Sequence, residues 1–228
     1  MIPTSATHAA PASAELSNAE ILRWQGKFRR VFALLLGFGT VALKWAGVIS
    51  ADSVVARSIG PHPAMLLASA IIVGYLAFVE AMVALVARRG TAGPDAAVVA
   101  AAADMALLFG IVYVVTPPEE YSRALIVAIF PVQFTLLYFG ARTTVYNLAC
   151  VAAFYTTIVL AASSHGMLPD VSERVWDLAL FLVGSLLFVL LQGHIARRLE
   201  RIVHVFERAR EGLDLLEARH VFRGNAGR

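Results

Sequence analysis

Charged side chains make up only 15% of this 228-residue chain, against the roughly one quarter that a water-facing globular surface uses. With 59% hydrophobic residues and a mean hydropathy of +0.72, that shortage excludes a soluble globular domain and leaves the membrane class. Cysteine is confined to Cys150, inside an apolar run, which excludes an intrachain disulfide and a multi-cysteine metal site. Catalytic signatures are lacking too: there is no GxxxxGK loop, no strand followed by GxGxxG, no HExxH and no GxSxG. No internal repeat is visible, which weighs against a repeat-built transporter. The first 16 residues, MIPTSATHAAPASAEL, have neither a positive n-region nor an apolar h-region. They read as a disordered tail rather than a secretory signal.

What the sequence does contain is six apolar runs, at 31–49, 64–87, 96–115, 125–139, 144–162 and 178–196. A bilayer core about 30 Å thick takes about 20 helical residues, so each run approaches one crossing. The fourth is the shortest and contains Pro131, which predicts a kink or an extension back through Ser122. Positive charge gathers at alternate junctions: Arg23, Lys27, Arg29 and Arg30, then Arg88 and Arg89, then Arg142, then Arg197, Arg198 and Arg201. The opposite loops carry Arg57, Arg123 and Arg174 among Asp52, Glu119, Glu120, Asp170 and Glu173. The positive-inside rule therefore predicts an all-α polytopic membrane protein of six transmembrane helices with cytoplasmic N and C termini. The net charge of +3 is thus a matter of topology, and no nucleic-acid partner is expected.

Ser17 and Glu20 fit a capping box that opens an amphipathic juxtamembrane helix over 17–30, expected at the inner membrane surface. After the six-helix bundle of 31–196, apolar positions recur as Leu199, Ile202, Phe206, Ala209, Leu213 and Leu216. That heptad predicts a cytoplasmic, coiled-coil-like exit helix over 197–220, continuous with the sixth span and able to make a homodimer, before a disordered end at 221–228. The competing reading is an amphipathic helix lying on anionic lipid, supported by Arg197, Arg198, Arg201, Arg208 and Arg210.

Ionisable groups within spans are costly and mark candidate sites. Glu80 and Asp104 fall at similar depth in the inner half of the bilayer, and Gln133, Asn147, Gln192 and His194 lie on later spans. Together they form a candidate intramembrane polar cluster, to be read as a ligand pocket, a proton site or plain interhelical hydrogen bonding. If Glu80 and Asp104 meet, they are expected to share a proton. Lys44 sits one turn from an outer span end beside Trp45, where it can snorkel. His62 with Met65, and His165 with Met167, occupy separate outer loops and set no coordination geometry. No catalytic residue, metal site or cofactor is predicted. Gly37 and Gly39 form a small-residue notch that permits close helix approach.

Six short-looped spans with both ends inside, followed by RRLERIVHVFERAREG, resemble the N-terminal membrane region of bacterial signalling proteins. Diguanylate cyclases come first, then class III adenylate cyclases and sensor histidine kinases. The resemblance covers roughly 27–212 and implies an inner-membrane sensor or anchor in which VFERAREG transmits to a cytoplasmic output domain. No GGDEF-like signature, cyclase metal-binding aspartates or phospho-acceptor histidine box follows. The expectation is either the sensor part of a larger protein or a stand-alone relative that signals through a partner. A small transporter or channel component, lined by Glu80, Asp104 and Gln133, is the rival reading.

Overall fold

The computed structural model describes residues 18–47, 52–89, 94–168 and 170–225. The predicted tail and Ser17 of the capping box lie outside them. Every regular element among the described residues is helical. They run as α1 (Asn18–Phe32), a π-helical segment (Ala33–Phe38), α2 (Gly39–Trp45), α3 (Val54–Ile59), α4 (Pro61–Arg89), α5 (Pro94–Val115), a 3-10 turn (Pro118–Glu120), α6 (Ser122–Ser164) and α7 (Val171–Asn225). Four of them, α4, α5, α6 and α7, are long and apolar enough to cross a membrane. The chain divides into two compact units, the first ending at Leu182 and the second beginning at Val183.

In the first unit α5 is the central helix. Its Leu107, Ile111, Val114 and Val115 pack with Met65, Ala68 and Ile72 of α4, while Met105 and Phe109 join Val151 and Tyr155 of α6. The alanines at its start permit this double contact: Ala97, Ala100 and Ala101 are buried, and Ala100 meets Leu22 of α1 and Val86 of α4. Ser53 caps α3, accepting from the Ala56 amide at 3.1 Å and donating to the Val114 carbonyl at the end of α5. Lys44, expected to snorkel, is instead 7% exposed, close to the carboxylates of Glu120 and Asp52. His62 lies against Trp45, with ring centroids 5.1 Å apart.

Although α6 is helical over 43 residues, it doubles back at Gly140. There φ is 79° and ψ 179°, a region that only glycine enters without strain. The consequence is visible in contacts that a straight helix forbids. Asn147 Nδ2 donates to Thr135 Oγ1 at 3.0 Å and to the Pro131 carbonyl at 3.4 Å, 12 and 16 residues away in sequence. A straight helix separates such residues by about 18 Å or more at 1.5 Å per residue. The arms 122–139 and 141–164 therefore form an antiparallel hairpin, and the first begins at Ser122, as the short fourth run requires.

The start of α7 is fixed on the same unit. Asp170 caps it, accepting from the Ser172 amide at 2.8 Å and hydroxyl at 2.6 Å, and these hydrogen bonds hold its carboxyl below the usual range. One turn on, Arg174 donates to Ser122 Oγ at 2.6 Å and to Asp177 at 3.0 Å, and Ser122 also donates to Asp177. The second unit carries the rest of α7. The helix continues through Asn225, five residues past the expected end at 220, because nothing in 197–223 interrupts it beyond the single Gly212.

Glycine placement distinguishes tight from loose crossings. A Cβ at Gly37 would lie 2.8 Å from the fully buried Ile72 side chain, whereas one at Gly39 meets nothing within 4 Å. Gly37→Ala is therefore expected to destabilise the bundle by about 1–3 kcal/mol through overpacking. Gly39→Ala should be neutral or stabilising by about 0.5–1 kcal/mol, because alanine loses less backbone entropy. Reversible unfolding in mixed micelles reads the difference, and equal effects of the two would contradict this packing.

Candidate functional site

Leu22, Gly26, Arg29, Ala33 and Gly37 recur every three or four residues and form the face that α1 and the π segment turn toward α4 and α5. Leu22, Ala33 and Gly37 are buried there. Gly26 lets that face approach closely: a Cβ on it would stand 2.7 Å from Val83. Arg29 is thereby carried inward to Asp104, ten residues into α5. Its Nε reaches the two carboxylate oxygens at 2.9 and 3.0 Å, and Nη2 donates to Oδ2 at 2.9 Å. Tyr75, from the middle of α4, donates its hydroxyl to Asp104 Oδ1 at 2.6 Å. The Arg29 and Asp104 side chains are only 16% and 17% exposed. Three helices are thus joined by one carboxylate whose charge is matched by a guanidinium and whose lone pairs are largely occupied.

Glu80 stands apart from this group. Arg30 pairs with it at 2.6 Å and donates a hydrogen bond at 2.8 Å, on a surface where the Glu80 side chain is 60% exposed. The two carboxylates therefore have separate guanidinium partners. A shared proton, which requires two like charges in contact, has no geometric basis here.

The other candidates are distributed. Asn147 is buried and closes the α6 hairpin on Thr135, Gln133 is half-buried on the first arm, and in the second unit Gln192 is half-buried and His194 exposed. Along α7, Leu199, Ile202 and Phe206 are exposed, while the side chains of Ala209, Leu213 and Leu216 fall outside the described residues. Among the described residues no three His, Cys, Asp or Glu side chains converge as metal ligands.

Beside the Arg29, Asp104 and Tyr75 group lies a cleft of about 370 Å³. Its walls are Phe28 and Phe32 of α1, Leu107 and Leu108 of α5, and Phe130 and Phe134 of α6. Phe28 stacks on Phe134 with centroids 5.3 Å apart, and Phe134 on Tyr138 at 5.7 Å. Gln25, 5% exposed, also lines the cleft, and its Oε1 is buried without a hydrogen-bond donor. A second feature is supplied by Pro131, which has no N–H to give the Val127 carbonyl one turn earlier on the same wall. Chemically the cleft is apolar and aromatic, with the ion pair of Arg29 and Asp104 among its lining.

Comparison of the chain with family models, curated proteins and solved structures finds no match.

Three of the residues that build this site, Gln25, Arg29 and Tyr75, were not among the sequence candidates. Arg29 reads as one more topological charge when positives are only counted. The signal was its spacing, four from Gln25 and seven from Leu22 on a stripe that also holds two glycines. For Tyr75 the signal was a hydroxyl in the middle of an apolar helix, which needs an acceptor.

Asp104→Leu leaves Arg29 buried without its partner and is expected to cost about 3–5 kcal/mol of stability. Tyr75→Phe should cost about 1.5–3 kcal/mol, the range for a hydrogen bond to a charged group. Glu80→Gln, at an exposed pair, should cost under about 1 kcal/mol. Unfolding of the three variants under one condition checks the order, and a Glu80 effect as large as that of Asp104 would contradict it.

Proposed function

We propose that this chain is a membrane sensor or anchor module of a bacterial signal-transduction protein. In this reading six spans cross the inner membrane with both termini in the cytoplasm. The run at 31–49, which follows the amphipathic stretch of α1 at the inner surface, makes the first crossing; α4, α5, the two arms of α6 and the apolar part of α7 make the others. The signal passes along α7 to a cytoplasmic output domain or partner protein. One observation carries the reading: α7 is a single helix of 55 residues, whereas a bilayer core needs about 20. Its apolar run ends at Ala196 before Arg197, and the same helix continues through Asn225 with the heptad from Leu199. A helix that begins in the bundle and runs well past the hydrocarbon is a means of carrying a rotation or shift outward.

Homodimerisation through that stripe is part of the proposal. Leu199, Ile202 and Phe206 are 56%, 50% and 71% exposed, a row of large apolar groups at heptad spacing beyond the apolar span. The transport alternative gains less from the geometry, since both intramembrane carboxylates are held by guanidinium groups.

Single cysteines at Ile202 and Phe206, in a Cys150→Ser background and in membranes of the expressing host, test the pairing. Disulfide-linked dimer is expected at both positions and much less at Arg201, which lies off the stripe. Absence of dimer at Ile202 and Phe206, with normal expression, would overturn the paired helix.

A further inference from the structure

We propose that the outward face of α1 is a binding site for an anionic phospholipid. Arg23 and Lys27 hold the phosphate, and the acyl chains lie along Val31 and Leu34. The assignment rests on the membrane reading of the bundle and not on what α7 transmits.

The cations of α1 are Arg23, Lys27, Arg29 and Arg30, and the structure divides them two and two. Arg29 and Arg30 turn toward α5 and α4, where Asp104 and Glu80 neutralise them. Arg23 and Lys27 are exposed, and among the described residues no carboxylate pairs with either. Glu20, also exposed on α1, forms an ion pair with neither. Standing one turn apart on the same side of the helix, the two cations can reach one phosphate together.

The same stripe changes character along its length. Val31 follows Lys27 by one turn and Leu34 comes next, both exposed. Leu34 lies about 10 Å beyond Lys27 at 1.5 Å per residue, within the about 15 Å of hydrocarbon that one leaflet offers. Beside the cations, Trp24 is exposed and lies against Tyr138 with ring centroids 6.0 Å apart, an aromatic pair of the kind that settles at headgroup level. The occupant must therefore be anionic at one end and apolar at the other. Free phosphate or an acidic peptide leaves the apolar half of the stripe unused, and a zwitterionic lipid brings a cation of its own toward Arg23 and Lys27. An anionic phospholipid matches both halves.

The site is tested with the full chain carrying Trp45→Phe and Trp176→Phe, which leaves Trp24 as the sole tryptophan. The protein is placed in phosphatidylcholine vesicles that contain either phosphatidylglycerol or phosphatidylcholine brominated in the acyl chains. Bromine quenches only an adjacent indole, so the signal reports the lipid beside Arg23 and Lys27. Phosphatidylglycerol should be favoured over phosphatidylcholine at least about threefold. The preference should fall by about half or more at about 1 M salt, where the Debye length is about 3 Å. Arg23→Gln with Lys27→Gln should abolish it. Arg57→Gln with Arg123→Gln, which removes the same charge from the opposite loops, should leave it intact.

If Arg23→Gln with Lys27→Gln does not insert, Lys27→Gln alone takes its place and should remove about half of the preference. Equal quenching by the two brominated lipids would overturn the lipid site while leaving the bundle in the membrane. Quenching by neither would take α1 out of the bilayer, and the membrane reading of this helix would fall with the site. A preference lost equally in both double variants would mean that net charge alone attracts the lipid. One abolished by inorganic phosphate at equal ionic strength would mean a site for free anions. Either result would overturn the assignment.

Discussion

The bidentate contact between Arg29 and Asp104 is the constraint on which the arrangement of the first unit rests. Taking either charge out of water alone is costly by several kcal/mol, and more so where hydrocarbon replaces solvent. Together, with Tyr75 on the carboxylate, they form a unit without net charge that three helices must meet at one point to complete. Helix association in a membrane gains nothing from hiding apolar surface from lipid. A polar junction that only one packing can satisfy therefore selects the packing.

Close approach makes that junction reachable. Gly26 and Gly37 let α1 and the π segment lie against Val83 and Ile72 of α4, and the alanines of α5 admit Leu22 and Val86. The α6 hairpin supplies the remaining side: Gly140 turns the chain, Asn147 ties the arms, and Phe130 and Phe134 face the aromatic residues of α1. Where these surfaces do not fully close, the cleft remains. The ion pair that orders the helices is part of its lining.

Much of the fold was legible in the sequence for reasons that are physical. Apolar runs of helical length predict apolar helices, and α4, α5, α6 and α7 fulfil that expectation. The gap between the fourth and fifth runs, at 140–143, marks the place where α6 turns. The notch was legible at Gly37, which does meet α4, but not at Gly39, because composition cannot say which face of a helix a neighbour will cover.

The site was legible only in part. Asp104 stood out as an acid in an apolar run, yet its partner lies 75 residues away on a segment whose charges serve topology equally well. Lys44 escaped for a similar reason: a lysine near a span end is free to snorkel, and only tertiary packing buries it. Glu80 and Asp104 take separate guanidinium partners, and periodicity along single helices does not fix how α4 and α5 are rotated toward each other.

The central claim is that Arg29 and Asp104 act as one neutral unit rather than as two independent polar residues. A double-mutant cycle on Arg29→Met and Asp104→Leu measures this directly, in a Tyr75→Phe background so that no hydroxyl is orphaned. Stability is read from reversible unfolding in mixed micelles. Each single change should cost about 3–5 kcal/mol because it strands a buried charge, and the pair together should cost at least about 2 kcal/mol less than the sum. Additive costs within about 0.5 kcal/mol would contradict the account, since they would mean that neither residue depends on the other.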